Sequence, residues 1–364
     1  MSVASARGVA SVFDPTRLRI ARHAVMITKK DLAARIEVTP AAVSQYENGT
    51  ASPGSRVTAA LALALGVPIT FFAADRPLGT APSTVAHFRS LRSTTQQERD
   101  RAFAHALLTW EVAQVIQRTV RLPPLDLPAD LAIPIDAPQS SAEQAARLAR
   151  EYFGIASGPV PHVVRLLEAR GIICTRLPSQ SRRVFAFSCA FPDRPVVVLS
   201  AERTHRAASR FDASHELGHL LMHPDEEPGS HAVERQANAF AAEFLAPSAE
   251  IADALPSRAD WKRLLELKSI WGISIQALLY RARATGVMPE HVYRRSVTEL
   301  NARGWRTQEP GDDGTAEEPL LLSKAFALAE QHGMTIEDLA LASRLPADMT
   351  RLIASIDDRP SVLL

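Results

Sequence analysis

The sequence predicts an α+β protein in which helices predominate, and three observations lead to this expectation. Helical patterns cover most of the chain, beginning with a run of short helices at residues 14–74 and ending with helices at 319–356. Three short β-rich runs, at 172–177, 184–191 and 195–200, are strand-like, and the last two are separated by a tight-turn sequence. A small sheet within a mostly helical chain is therefore expected.

Composition excludes several classes of protein. The 364 residues exceed one small domain, and 46% hydrophobic with 22% charged residues is typical of a globular chain. The net charge of +1 gives the whole chain no field that would attract a polyanion, and two cysteines cannot form a disulfide scaffold. The start has no signal-peptide pattern, and Gly66 and Pro68 interrupt the uncharged stretch 57–74. We therefore expect a cytoplasmic protein without a membrane span.

Proline-rich and polar stretches divide the chain into regions. We expect a domain at 1–79, a connecting helix (95–120) with a Pro-rich linker at 80–139, a domain at 140–304 and a C-terminal helical region at 319–364. Two contacts stay open for the basic loop at 87–93, one with phosphates and one with the domain at 140–304. The C-terminal region is expected to form a small bundle for dimerisation or lid packing, with an inner face formed by Leu339, Leu341, Leu345, Met349 and Ile353.

Residues 28–49 predict two short helices joined by a tight turn. Thr28 is a good N-cap for the first, with Asp31 three residues later. Thr39 is a good N-cap for the second, and Pro40 suits its first position. Gly49 can adopt the left-handed conformation that ends a helix.

The segment VTPAAVSQYENG, followed by a helix ending in LALGVP, resembles the Cro/repressor-type (XRE) helix-turn-helix over residues 14–74, although Glu37 stands where glycine is usual. The resemblance implies a five-helix domain that binds a two-fold-symmetric DNA operator as a homodimer. Nine Lys/Arg against five Asp/Glu in residues 1–79 suit contact with phosphates. A helical hairpin for dimerisation or protein binding is the alternative. The expected contacts are Ser44 and Gln45 with bases, Lys29, Lys30 and Arg56 with phosphates, and Thr39 and Ala41 beside them.

The segment RFDASHELGHLLMH places two histidines four residues apart. His215 and His219 leave the same face of a helix, which suits two ligands of one Zn²⁺. Glu216 follows the first histidine and is placed to accept a proton from a water beside the metal. His223 lies about 12 Å along the helix from His215, too far to share the ion, and a role at the helix end or towards substrate is expected.

The segment HAVERQANAFAAEFLAP offers the third ligand. Glu234 and Asn238 are one turn apart, so Glu234 can ligate while Asn238 supports a ligand histidine through its outer N–H. Glu243 remains open as the competing ligand. His205 and His231 are expected at the surface.

These two segments, with the preceding VVVLS, resemble the ImmA/IrrE family of zinc metallopeptidases over about residues 140–290. The resemblance implies a zincin-like domain with a small sheet, with His215, His219 and Glu234 as zinc ligands and Glu216 as general base. It also implies cleavage of a protein substrate such as a Cro/repressor-type regulator, or of the chain itself, in a stress or induction response. The alternative is a non-proteolytic regulator in which the metal domain senses a metal or ligand and controls DNA binding.

Overall fold

The computed structural model of the protein describes residues 6–74, 86–88, 95–177, 186–224, 230–306, 308–311 and 314–356. Within these residues helices predominate, and the strands form one four-stranded sheet. The predicted class, α+β and mostly α, is confirmed. No helix in the described part of the chain is long and apolar enough to cross a bilayer.

Five α-helices form the N-terminal domain, and the ends of the third and fourth are as the sequence predicts. Thr28 Oγ1 accepts the backbone N–H of Asp31, Thr39 Oγ1 accepts that of Ala42, and Gly49 is left-handed with φ of 73°. A short 3-10 helix, Ile69–Phe72, follows the fifth helix, so the uncharged stretch is a helix, a turn and a second short helix. The helices are α1 (Ala6–Ser11), α2 (Pro15–Ala24), α3 (Lys29–Arg35), α4 (Pro40–Asn48) and α5 (Ser55–Leu65).

Twelve further α-helices follow along the described chain. The helix predicted over 95–120 begins after Thr95, whose side chain and that of Glu98 cap its first turn reciprocally. The helices are α6 (Gln96–Ile116), α7 (Gln139–Tyr152), α8 (Val163–Ala169), α9 (Arg206–Met222), α10 (His231–Leu245), α11 (Ser248–Ile251), α12 (Trp261–Trp271), α13 (Ile275–Ala284), α14 (Glu290–Ala302), α15 (Leu321–Gln331), α16 (Ile336–Ser343) and α17 (Ala347–Ala354). Of these, α6, α8, α9, α15 and α17 contact the sheet.

The sheet has the order β1-β3-β4-β2, with β1 (Ala86–Phe88), β2 (Ile173–Leu177), β3 (Ala186–Cys189) and β4 (Val196–Ser200). The β3 and β4 strands are antiparallel around the predicted turn, and β2 is parallel to β4. The β1 strand was not predicted: it adds antiparallel to β3, with His87 opposite Ser188. The rest of the basic segment, 89–93, lies outside the described residues.

The α6 helix joins the N-terminal domain to the sheet through one continuous hydrophobic core. This core includes Leu18 of α2, Ala106 of α6, Val198 of β4 and Ile353 of α17, all at most 1% exposed. A second core, on the other side of the sheet, packs α8 and α9 against the strands and packs α7 and α10 against α9. The helix that the sequence suggested as a connection is therefore a buried central element.

Polar contacts hold α6 against the N-terminal domain and against the sheet. The guanidinium of Arg17 makes a buried, bidentate ion pair with Glu111, and it lies over the ring of Phe71. On the side of the sheet, the indole N–H of Trp110 donates to Asp193 at 2.6 Å. The N-terminal domain is thereby anchored to the helix that covers the sheet.

The inner face predicted for the C-terminal region is wrong at one position. Leu339, Leu345 and Ile353 are buried and Met349 is half-buried, but Leu341 is 65% exposed. Residues two apart on a helix point to nearly opposite sides, so Leu339 and Leu341 cannot both face the core.

Candidate functional site

Two histidines and one glutamate meet between α9 and α10, beside the second core. The α9 helix directs His215 and His219 towards α10, where Glu234 lies. The two Nε2 atoms are 3.0 Å apart, and the carboxylate oxygens of Glu234 lie 3.4 Å from Nε2 of His215 and 3.6 Å from Nε2 of His219. One ligand atom from each residue lies within 4.8 Å of the other two. This spacing and this set of two imidazoles and one carboxylate fit Zn²⁺.

Glu216 lies beside this cluster and is held by the sheet. The hydroxyl of Ser188, on β3, donates to Glu216 Oε2 at 2.8 Å, and both side chains are fully buried. A neutral hydroxyl donor orients the carboxylate without removing its charge. The arrangement leaves Glu216 suited to accept a proton near the cluster.

His223 ends α9 and contacts the cluster through His219. Its Nδ1 lies 3.3 Å from Nδ1 of His219, and its Nε2 lies 2.8 Å from Oε1 of Gln236 on α10. The predicted position at the helix end is found, and the side chain points into the protein with no exposed area. His223 therefore packs behind the cluster.

The structure separates the two glutamates that the sequence left open as third ligand. Glu243 is fully buried and binds Arg281, Arg147 at 2.9 Å and the hydroxyl of Ser248 at 2.6 Å. Burial alone would raise the pKa of Glu243, but hydrogen bonds from Ser248 and Arg281 and the charge of Arg281 lower it. Among the described residues, Glu234 joins the histidines and Glu243 does not.

The other predicted polar positions are spread around the site. Asn238 lies one turn after Glu234 and is half-buried, and its support of a ligand histidine stays a prediction. His231 is exposed at the start of α10, and His205 is exposed and pairs with Thr315 in an isolated bridge. Both thiols are buried, which raises the pKa of Cys174 and of Cys189 and disfavours their use as nucleophiles.

The cluster is shielded from solvent in this conformation. His215, Glu216 and His219 are fully buried, whereas the side chain of Glu234 is 19% exposed. Solvent therefore reaches the cluster from the side of Glu234.

The outer face of α4 is accessible to a large partner. Thr39, Ala41 and Gln45 are exposed, and Ser44 is half-buried. The surrounding cations Lys30 and Arg56 are exposed too.

Lys29, another predicted phosphate contact, has an intramolecular partner. Its Nζ lies 3.2 Å from Oε2 of Glu47, which also binds Arg22. Burial alone would raise the pKa of Glu47, but the hydrogen bonds and charges of Arg22 and Lys29 lower it. Part of the charge of Lys29 is therefore compensated within the domain.

Sequence reasoning missed Ser188 and Gln236, which contact Glu216 and His223. Neither position belongs to the histidine motif, and Ser188 lies 28 residues before the glutamate that it contacts. A polar residue in the middle of an apolar strand, FAFSCAF, was the available signal for Ser188.

The fold and the clusters define a DNA-binding regulator that carries a metallopeptidase-type domain. Residues 18–72 match the family model described as helix-turn-helix, and residues 168–283 match that of the IrrE N-terminal-like domain, a peptidase family. The chain is a fusion of these two domains, as the resemblances implied. A comparison with curated proteins finds no match.

Proposed function

We propose that this regulator is an active zinc-dependent peptidase that cleaves a Cro/repressor-type protein, or its own chain, in a stress or induction response. The observation that carries the proposal is the position of Glu216 beside the cluster of His215, His219 and Glu234. A carboxylate next to three ligand groups is the arrangement that metal-assisted hydrolysis of a peptide requires.

Each residue of the cluster has a distinct task in this proposal. His215, His219 and Glu234 would hold the ion, which supplies the positive charge that polarises a carbonyl and lowers the pKa of a water. Glu216 would accept a proton from the attacking water and deliver it to the leaving amine. Ser188 would keep the carboxylate in place between the two transfers, since its hydroxyl donates to Oε2.

The N-terminal domain would direct this activity to particular genes. In our proposal α4 enters the major groove of an operator, with Gln45 and Ser44 at base edges and Lys30 and Arg56 at phosphates. Thr39 and Ala41 are exposed as well. A homodimer would place two such helices on a two-fold-symmetric site.

The test begins with metal analysis of the purified protein and three variants. Wild type should hold about one Zn²⁺ per chain, and Glu216→Gln should hold the same amount because Glu216 is not a ligand in the proposal. His219→Ala should lose the metal. Glu202→Gln, an exposed position on the chain before α9, is the matched control and should change nothing.

The same variants test catalysis. Glu216→Gln should reduce cleavage of a partner repressor, or of the chain itself, by about 10²–10⁴-fold while DNA binding is kept. Cleavage by Glu216→Gln at the wild-type rate would rule out Glu216 as the base.

The burial of the cluster favours one alternative, a metal or ligand sensor that does not hydrolyse peptides. A substrate peptide needs access to Glu216, which is fully buried in this conformation. If the protein is a sensor, the Glu216→Gln variant would regulate its genes like wild type, whereas the His219→Ala variant would not. If the protein is an active peptidase, the genes would stay in one state under the inducing condition in both variants.

A further inference from the structure

We propose that Gln236 and His223 form a hydrogen-bonded relay that fixes the tautomer of His219, and so prepares it as a zinc ligand. The inference rests on the metal site proposed above and assigns positioning roles to two residues behind it. It follows from the directions of three successive hydrogen bonds.

The first step is the orientation of the Gln236 amide, which is set by the Pro-rich segment. Its Nε2 lies 2.9 Å from the carbonyl oxygen of Pro134, 3.1 Å from that of Ala137 and 3.3 Å from that of Ile135. Carbonyl oxygens only accept, so the amide must present its N–H groups to them. A flipped amide would place its oxygen against three acceptors in a buried site, which costs free energy.

The second step is the tautomer of His223. With its nitrogen directed at the Pro-rich segment, Gln236 presents Oε1 to Nε2 of His223 at 2.8 Å. Since Oε1 is an acceptor, His223 must carry its proton on Nε2. In a neutral imidazole the other nitrogen, Nδ1, is then an acceptor.

The third step transfers this constraint to the cluster. Nδ1 of His223 lies 3.3 Å from Nδ1 of His219, so His219 must supply the proton of that contact. A neutral His219 protonated on Nδ1 has its lone pair on Nε2. That atom lies 3.0 Å from Nε2 of His215 and 3.6 Å from Oε1 of Glu234, on the side of the ligand groups.

The relay gives the Pro-rich segment a role beyond connection. Residues 134–137 hold Gln236, and Gln236 holds His223, so the orientation of a ligand depends on chain about 80 residues before it in sequence. Histidine ligands are commonly fixed in this way through their outer nitrogen, and losing such a partner typically costs about 10–100-fold in metal affinity.

The direct test is a nitrogen-15 correlation spectrum of the imidazole rings in the metal-free wild-type protein near pH 8. We expect His219 protonated on Nδ1 and His223 protonated on Nε2, each neutral. A His219 protonated mainly on Nε2, or a His223 protonated on both nitrogens, overturns the inference. This measurement needs neither a variant nor bound zinc.

The second test measures zinc affinity by competition with a chelator. Gln236→Leu and His223→Phe should each weaken zinc binding about 10–100-fold while still binding one ion at saturation. His223→Gln should recover part of the affinity, since it retains an acceptor and a donor. Binding of a DNA operator by each variant reports that the chain is folded.

Gln139→Leu, the same substitution at an exposed position of α7, is the matched control and should bind zinc like wild type. Asn238→Ala tests the competing support, since Asn238 lies half-buried on the same helix as Gln236, one turn after Glu234. If Asn238→Ala weakens zinc binding and Gln236→Leu does not, support comes from Asn238 and the relay is wrong. If wild type itself binds no zinc, the proposed metal site fails, while the spectrum still decides the tautomers.

Discussion

At the turn between α3 and α4, Glu37 has φ of 56°, a left-handed conformation in which its Cβ crowds the following carbonyl. Glycine adopts this conformation without that cost. The sequence comparison with helix-turn-helix domains already indicated a glycine position here, and the backbone explains why. Glu37 is exposed, so the side chain does not offset the strain by burial.

We therefore expect Glu37→Gly to raise the free energy of unfolding by up to about 1 kcal/mol, because relief of strain exceeds the added chain entropy. Urea denaturation measures the change. Ala34→Gly, in the regular part of α3, is the control and should lower stability by about 1 kcal/mol. Equal losses in both variants would contradict the strain at Glu37.

The candidate site could be predicted to the extent that local spacing determines it. His215, Glu216 and His219 lie on one helix, so helical geometry alone relates them. Glu234 lies on the next helix, where its one-turn spacing from Asn238 favoured it while Glu243 stayed open as the competing ligand. Ser188 and Gln236 could not be assigned because their contacts depend on how α9 packs on the sheet and on α10. Sequence spacing contains no information on that packing.

Among the elements, α4 has the same bounds in sequence and structure, because Thr39 and Gly49 carry strong local signals at its ends. The β1 strand was missed because three residues show no period, and its partner β3 lies about 100 residues further on. The burial of α6 had a readable signal: between residues 102 and 116 Glu111 is the only acidic or basic residue, apart from His105. That pattern indicates a helix buried on all sides.

For α4 we expect two distinct effects on DNA binding. Gln45→Ala should relax sequence preference at one base pair, with a loss of about 1–3 kcal/mol on the preferred operator. Lys30→Ala should weaken binding to all DNA sequences alike. It should also reduce the logarithmic slope of binding affinity against salt concentration by about 1, the share of one phosphate contact. Titrations on operator and random DNA at several salt concentrations separate these effects.

Lys262→Ala, an exposed cation on α12, is the control for the DNA measurements and should bind like wild type. Lys29→Ala is less informative, since it also removes a partner of Glu47. Unchanged selectivity in Gln45→Ala would show that another residue reads that base.

The N-terminus of α15 is capped by a buried carboxylate. Glu168, on α8, accepts the backbone N–H groups of Leu320 and Leu321, each at 2.9 Å. Burial raises the pKa of Glu168 to about 7, although these hydrogen bonds oppose the rise. The folded protein therefore retains a proton that the unfolded chain releases between pH 4.5 and 7.

This difference in proton binding predicts that Glu168 makes the protein less stable as pH rises through that window, by on the order of 3 kcal/mol. Glu168→Gln should remove this part of the pH dependence, since it cannot ionise. Urea denaturation at pH 5 and pH 8 measures it as the difference between variant and wild type. That difference cancels other groups, such as buried His105, whose pKa is lowered to about 4 and whose contribution has the opposite sign. A Glu168→Gln variant whose free energy of unfolding depends on pH as in wild type would contradict the prediction.

At the scale of the whole molecule, the N-terminal domain and the sheet share one core through α6. We expect Arg17→Met to lower the free energy of unfolding by about 3–5 kcal/mol, because buried Glu111 loses its cationic partner. Arg17→Met combined with Glu111→Leu should recover most of this loss. A double variant as unstable as the single one would contradict the ion pair as the cause.

The shared core also predicts that both regions unfold together. Two probes should report coincident transitions when Arg17→Met is denatured, namely the loss of DNA binding and the change in tryptophan fluorescence. Separate transitions would show that the N-terminal domain is stable without α6.

The buried pair between Arg17 and Glu111 limits how the domains of this fusion can be exchanged, in evolution or in engineering. Exchanging residues 6–74 alone for another DNA-reading module would leave Glu111 without the cation it is buried against, and would leave the apolar surface of α6 against an unmatched neighbour. A graft that keeps the chain folded has to transfer α6 with the module, with its junction beyond Ile116. The unit that can be exchanged would then end at the boundary of the shared core rather than at the boundary of the DNA-binding motif.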